Sequence, residues 1–199
     1  MAVRVLGLAF RDLWQELWTI LIVNLLFLFA NVLILPGPPA TLALFYYGNR
    51  IAHGETATER DFLQAIRSYW KPAWRWGLIN LLVIGLLTGD YYLIERLIPN
   101  PEAAALIRGL YVTLMITWLV IQLFTPPFLF EQEQPSVRQA LRNAVVFIRK
   151  NLLFSLTLAL LLALSLILGI LAFMLTLAFG GTLVAFASNH AVLQELTDR

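Results

Sequence analysis

Long uncharged runs separated by short charged segments dominate the chain. Three of them, over residues 17–49, 109–130 and 151–194, are long enough for a membrane crossing, which takes about 20 residues. The first run contains Pro36-Gly37-Pro38-Pro39, and proline lacks an amide hydrogen and clashes with the preceding helical turn, so we expect two helices there. The last run is long enough for two helices. The pattern predicts an all-α fold, a polytopic membrane helix bundle.

We predict about six hydrophobic helices within a single integral membrane domain over residues 1–199. They cover about 18–35, 40–53, 72–94, 107–130, 151–171 and 174–194. The second helix is short, and whether it crosses fully or is re-entrant stays open. The third includes Asp90 near its outer end.

Three further segments show apolar residues on one helical face and polar residues on the other. Residues 1–17 are predicted to lie on the membrane surface, and residues 61–70 and 136–149 form two cytoplasmic amphipathic helices that seat the protein at the interface. Asp61 and Ser136 are the expected N-caps. The second and third segments share a pattern, Gln64-Ala65-Ile66-Arg67 and Gln139-Ala140-Leu141-Arg142, and whether this reflects an internal repeat stays open.

The distribution of lysine and arginine predicts the orientation. If both termini are cytoplasmic, all but two of the 14 cationic side chains fall inside, the exceptions being Arg96 and Arg108. That arrangement requires the short second helix to cross. We therefore expect a multi-pass protein with cytoplasmic N- and C-termini.

Composition narrows the function classes. Hydrophobic residues make up 60% of the chain and charged residues 13%, about half the share usual in soluble domains. The net charge of +2 does not suggest nucleic-acid binding, and the lack of cysteine excludes disulfides and thiolate metal sites. We found no catalytic motif and no metal-ligand spacing, so we expect no enzyme activity, no cofactor and no metal.

Polar side chains inside the predicted spans are the first candidate site. Ionisable and amide groups are costly in a bilayer, which makes those that remain candidates for function. Two interpretations stay open: hydrogen bonds that hold the helices together, or a polar path for a substrate. Asp90 has the further alternative of a carboxylate at the headgroup boundary, paired with Arg108 or Arg96. The candidates are Asp90, Asn24, Asn31, Asn80, Gln122, Asn189 and His190.

The helix-start turn is the second candidate site. Free amides at the first turn of the second predicted helix would form an anion site, and the alternative is a tight turn between two antiparallel helices. Its residues are Pro36, Gly37, Pro38, Pro39 and Thr41.

Several short motifs resemble one family of membrane proteins. They are Pro36-Gly37-Pro38-Pro39-Ala40-Thr41, Gly54-Glu55, Asp61-Phe62, Trp70-Lys71 and Gly89-Asp90-Tyr91. With these motifs the chain resembles the YesL-like family of bacterial integral membrane proteins, a domain of unknown function. The resemblance implies a bacterial cytoplasmic (inner) membrane location and a link to carbohydrate uptake by ABC-type transporters.

From the resemblance we expect a non-enzymatic accessory component of carbohydrate transport, with the lipid bilayer and ABC transporter permease subunits as partners. The alternative is a self-sufficient channel or carrier for small solutes that uses the polar intramembrane residues. A lipid-handling scaffold is a third, weaker alternative. Whether the chain forms a homo-oligomer stays open.

Overall fold

The computed structural model describes residues 2–15 and 17–173, and within these residues the regular secondary structure is entirely helical. The predicted all-α class is therefore confirmed for the described part of the chain. The predicted helix over 174–194, with Asn189 and His190, lies outside it. The helices are α1 (Ala2–Gln15), α2 (Leu17–Val32), α3 (Gly37–Ala52), α4 (Glu59–Ser68), α5 (Trp70–Leu97), α6 (Pro101–Phe130), α7 (Val137–Lys150) and α8 (Leu152–Phe173).

The chain divides into two compact units, Met1–Leu156 and Thr157–Arg199. The first unit contains α1 to α7 and the beginning of α8. In the second unit the structure describes residues 157–173, where α8 continues.

Three helices are long and apolar enough to cross a membrane, namely α5, α6 and α8. By length and composition they indicate a membrane protein. The six-crossing bundle is not confirmed, because α2 and α3 have only 16 residues each. At ~1.5 Å per residue each is about 24 Å long, which is less than the ~30 Å hydrocarbon thickness.

Both long helices of the first unit start earlier than the sequence pattern predicts. α5 begins at Trp70, which places Pro72 in the first turn, where a missing amide hydrogen costs nothing. α6 begins at Pro101, because the side chain of Asn100 accepts hydrogen bonds from the backbone amides of Glu102 and Ala103 at 2.9 and 3.2 Å.

α3 is the central helix of the first unit. One apolar cluster joins α2, α3 and α4 and includes Ala40, Ala43 and Phe62. A second cluster joins α3, α5, α6 and α7 and includes Leu42 and Leu129. α3 therefore contributes to both clusters and holds the unit together.

The two predicted cytoplasmic amphipathic helices are present as α4 and α7, but their N-caps differ from those predicted. Thr58, not Asp61, caps α4, and Asp61 is the third helical residue of a capping box in which its carboxylate accepts from the Thr58 backbone N–H at 2.8 Å. The prediction for Asp61 is wrong because the helix begins earlier, at Glu59. Ser136 does occupy the N-cap of α7, but its hydroxyl makes no capping bond, and its N–H donates to Gln132 Oε1 at 2.9 Å.

The apolar faces of α4 and α7 are only partly buried within the protein. Phe62 and Ala65 of α4, and Val137, Ala140 and Ala144 of α7, are all buried. Leu63 of α4 and Val145 and Val146 of α7 remain exposed, so the seating of these helices at the membrane interface stays a prediction. α1 also leaves apolar side chains exposed, Val3 and Trp14.

The order of helices is compatible with a repeat only in part. A helix, a short amphipathic helix and a long helix follow one another twice, as α3–α4–α5 and α6–α7–α8. The proline pairs, however, occupy opposite ends of the first helix in each series. Pro38-Pro39 lies in the first turn of α3, whereas Pro126-Pro127 lies in the last turns of α6. The internal repeat stays a prediction.

Candidate functional site

Two of the predicted intramembrane residues, Asn80 of α5 and Gln122 of α6, meet in one hydrogen-bonded network. Gln122 Oε1 accepts from the Trp76 indole at 2.8 Å and from Asn80 Nδ2 at 3.4 Å. Asn80 Oδ1 accepts from the Trp118 indole at 3.0 Å. Two tryptophans that we did not include among the candidates thus complete the network. Both side-chain oxygens are occupied, and the network links α5 to α6.

One polar atom of this network has no partner. Gln122 is only 8% exposed, and its Nε2 makes no hydrogen bond within the described residues. The amide cannot simply be turned over, because its other end faces two N–H donors and must be the oxygen. A buried amide N–H₂ is therefore left available in the membrane part of the molecule, which costs free energy unless something binds it.

Asn24 and Asn31 do not join Asn80 and Gln122. Each donates to a backbone carbonyl one turn earlier in α2, Asn24 to Ile20 at 2.9 Å and Asn31 to Phe27 at 2.8 Å. Asn24 also lines a largely apolar cavity of about 640 Å³ between α1, α2 and α3. The asparagines of α2 therefore lie apart from the pair formed by Asn80 and Gln122.

Asp90 of α5 lies beside Tyr111 of α6, near the connection between these two helices. Arg108, one of the two cations considered as its partner, instead forms an ion pair with Glu95. The Arg108 guanidinium also lies 5.3 Å from the centre of the Tyr91 ring. Glu95, near the end of α5, therefore pairs with one of the two cations considered for Asp90.

The turn before α3 offers no free amide to an anion. Gly37 N–H donates to the Ile34 carbonyl at 3.0 Å and Ala40 N–H donates to the Pro36 carbonyl at 2.8 Å, while Pro38 and Pro39 have no N–H. The Thr41 hydroxyl donates back to the Gly37 carbonyl at 3.0 Å. The geometry is that of a tight turn between two helices.

A polar cavity of about 390 Å³ lies between the end of α3, the following linker and α4. It was not predicted from the sequence. At its centre Arg50 binds two carboxylates, that of Glu55 at 2.9 Å and that of Asp61 at 2.7 Å. Hydrogen bonds from the Thr58 backbone and hydroxyl hold the pKa of Asp61 below its usual value, and the charge of Arg50 lowers it further. Tyr46 and Tyr69, with ring centres 5.4 Å apart, also line the cavity.

A second polar contact joins the end of α3 to the end of α6. Asn49 Nδ2 donates to Glu131 Oε1 at 2.7 Å, and His53 Nε2 lies 3.5 Å from the same oxygen. The hydrogen bond between His53 Nδ1 and the Asn49 carbonyl raises the pKa of His53, and Glu131 raises it further. The sequence gives no signal for the contacts of Glu131. For the Arg50 cluster its one signal is the capping-box spacing of Thr58 and Asp61.

No group of three histidine or acidic side chains among the described residues is close enough to hold a metal ion.

One family model matches part of the chain. Residues 20–91 match the family described as "Protein of unknown function, DUF624". The match begins in α2 and ends in α5, so it includes the turn before α3 and the polar cavity. No curated protein and no solved structure matches the chain.

Proposed function

We propose that the protein is a non-enzymatic accessory component of a carbohydrate transport system of the ABC type. It is a bacterial inner-membrane protein that crosses six times with both termini in the cytoplasm. In this topology the short helices α2 and α3 cross by local thinning of the bilayer. α4 and α7 then lie on the cytoplasmic side, where they contact the permease subunits.

The observation that carries this proposal is the exposed basic surface of α4 and α7. Because the buried residues of both helices are apolar and pack against the protein, the cationic side chains of these helices point outward. None of the exposed cations on these faces forms an ion pair within the part of the chain that the structure describes. They are Arg60, Arg67, Arg138, Arg142, Arg149 and Lys150. Such a surface suits an acidic cytoplasmic surface of a partner protein.

The α5–α6 network supports an accessory role over a self-sufficient channel. The oxygens of Asn80 and Gln122 accept hydrogen bonds from two indoles, which hold these side chains between α5 and α6. Asn24 and Asn31 are bonded within their own helix. The described polar groups thus do not line one continuous path.

Affinity purification from the native membrane tests the proposal. The tagged protein should retain permease subunits, and the variant that combines Arg138→Gln, Arg142→Gln and Arg149→Gln should lose them. Arg96→Gln is the matched control, because Arg96 is also exposed and has no ion pair among the described residues. Arg96 lies near the last residue of α5, whereas α4 precedes the first residue of α5. Equal recovery of permease with the triple variant and with the control would overturn the basic surface as the contact, and no permease with the wild type would overturn the accessory role.

A second candidate function, a self-sufficient carrier of small solutes, is supported by the Gln122 Nε2, which has no partner among the described residues. A solute that accepts a hydrogen bond would satisfy this group. In liposomes containing the purified protein, such a carrier would give a flux that Gln122→Leu reduces. Absence of flux from the wild-type protein would remove this candidate.

A further inference from the structure

The polar cavity between α3 and α4 has the size and chemistry of a small-molecule site. Its volume of about 390 Å³ is near the lower end of the range found for ligand pockets, ~300–1,000 Å³. It is built from three consecutive parts of the chain: the last turns of α3, the linker with Glu55, and one face of α4. Neither the family description nor the transport proposal assigns it a role.

The charged groups of the cavity are engaged with one another. Arg50 donates to Glu55 and Asp61, and Asp61 also accepts from Thr58 in the capping box. An anionic ligand entering here would meet two carboxylates, and a cationic ligand would meet the guanidinium. The second carboxylate leaves the cluster with an excess negative charge, which disfavours an anion, and a cation would have to compete with Arg50, which already engages both carboxylates. The charged groups remain strong hydrogen-bonding partners for a neutral ligand.

Four uncharged polar side chains complete the lining of the cavity. The hydroxyls of Tyr46, Ser68 and Tyr69 and the amide of Gln64 line it, and none of the four makes a hydrogen bond within the residues that the structure describes. Hydroxyl and amide groups both donate and accept. They match a ligand with several hydroxyls, each of which also donates and accepts.

Aromatic rings pack beside the polar groups of the cavity. Tyr46 and Tyr69 contact each other, and both contact Phe130 of α6, with ring centres 5.6 and 5.1 Å away. A mainly polar cavity flanked by aromatic rings suits a compact molecule with several hydroxyls. We propose that this cavity binds a small neutral polyhydroxylated molecule through Gln64, Ser68, Tyr46 and Tyr69, next to the Arg50–Asp61 pair.

This inference is independent of the proposed function. The cavity would bind such a molecule whether or not the protein associates with a permease, and the test uses the isolated protein. Failure of the binding experiment therefore leaves the copurification result unaffected, and the reverse is also true.

Equilibrium dialysis of the full-length protein in detergent tests the proposal with three labelled neutral probes: glycerol, myo-inositol and D-glucose. Glucose 6-phosphate and glucosamine serve as charged counterparts of the last probe. We expect at least one neutral probe to bind, and we expect any glucose binding to exceed that of both charged counterparts. Absence of binding for all three neutral probes, or equal binding of a charged counterpart, would overturn the proposal.

The variant Gln64→Leu and a matched control test whether the probe binds in this cavity. Gln64 is exposed, so we expect its replacement to leave the fold intact while binding weakens about fivefold, the loss expected for one neutral hydrogen bond. Gln139 occupies the corresponding position in the matching tetrapeptide of α7 and is also exposed, so Gln139→Leu should bind like the wild type. Unchanged binding by Gln64→Leu, or equal weakening by Gln139→Leu, would overturn the assignment to this cavity.

Discussion

Gly77 of α5 lies directly against Pro38 in the first turn of α3. A Cβ atom on Gly77 would stand 2.9 Å from the Cβ of Pro38 and 3.0 Å from its Cγ, closer than real Cβ contacts. The proline ring cannot rotate away, so only glycine permits this approach. The contact fixes the start of the central helix against one of the three helices long enough to cross a membrane.

We predict that Gly77→Ala lowers stability by about 1–3 kcal/mol, the usual cost of overpacking. Gly85 is the matched control, because it lies two turns further along the same helix and a Cβ atom there would meet no neighbouring atom within 4 Å. Gly85→Ala should leave stability unchanged or raise it slightly, since alanine favours the helix. Thermal unfolding in detergent measures both. A Gly77→Ala variant as stable as the Gly85→Ala variant would contradict the contact.

Ile34 adopts a left-handed backbone conformation, with φ of 60°, in the turn between α2 and α3. This conformation costs a β-branched residue about 1–2 kcal/mol, and the side chain is 77% exposed, so little packing offsets it. Ile34→Gly and Ile34→Asn should therefore raise the unfolding temperature. Ile34→Val, which keeps the branch at Cβ, should leave it unchanged. Equal unfolding temperatures for all three variants would argue against the strain.

The hydrogen bond from Trp118 to Asn80 should stabilise the packing of α5 on α6. We expect Trp118→Phe and Asn80→Leu each to lower stability by about 0.6–1.7 kcal/mol, the range for polar contacts between membrane helices. The double variant should cost less than the sum, because both changes remove the same bond. Asn24→Leu is the control for the loss of a membrane asparagine, since the hydrogen bond of Asn24 among the described residues lies within its own helix. Strict additivity in the double-mutant cycle would contradict the contact.

Stability should depend on the protonation of His53. In the folded protein the Asn49 carbonyl and the Glu131 carboxylate favour protonated His53, with a smaller effect from Glu55, so its pKa lies above the unfolded value of about 6.5. A raised folded-state pKa gives stabilisation that is complete below pH ~6.5 and disappears as the pH rises through the folded-state pKa. The unfolding temperature of the wild type should therefore fall across this window relative to His53→Gln.

Repeating the pH series of unfolding temperatures at high salt tests whether the effect of His53 is electrostatic. His53 and Glu131 are both largely exposed, so salt should reduce the effect by screening. Parallel pH profiles for the wild type and His53→Gln at low salt would show that this histidine does not contribute.

The helical class could be predicted from the sequence because long uncharged runs can bury their backbone polar groups only as helices in a membrane. Helix starts could not be predicted as well. α4 begins at Glu59 because the side chain of Thr58, and not that of Asp61, caps it. α5 passes through Pro72, which the pattern alone treats as a boundary.

The candidate site was predicted only in part, because side chains that share a helix face meet only when the helices pack in the right register. Asn80 and Gln122 meet because α5 and α6 are adjacent, while Asn24 and Asn31 belong to α2 and bond to its own carbonyls. The cavity around Arg50 depends on contacts between α3 and α4 that no sequence spacing encodes, except for the Thr58–Asp61 box.

The central claim is that this protein acts as an accessory component of a transport system. Native mass spectrometry of the complex, gently solubilised from its own membrane through a tag on this chain, tests it most directly. We expect a mass that exceeds the 22.5 kDa chain and its multiples by the masses of transporter permease subunits. A bare monomer or a symmetric oligomer of this chain alone would contradict the claim.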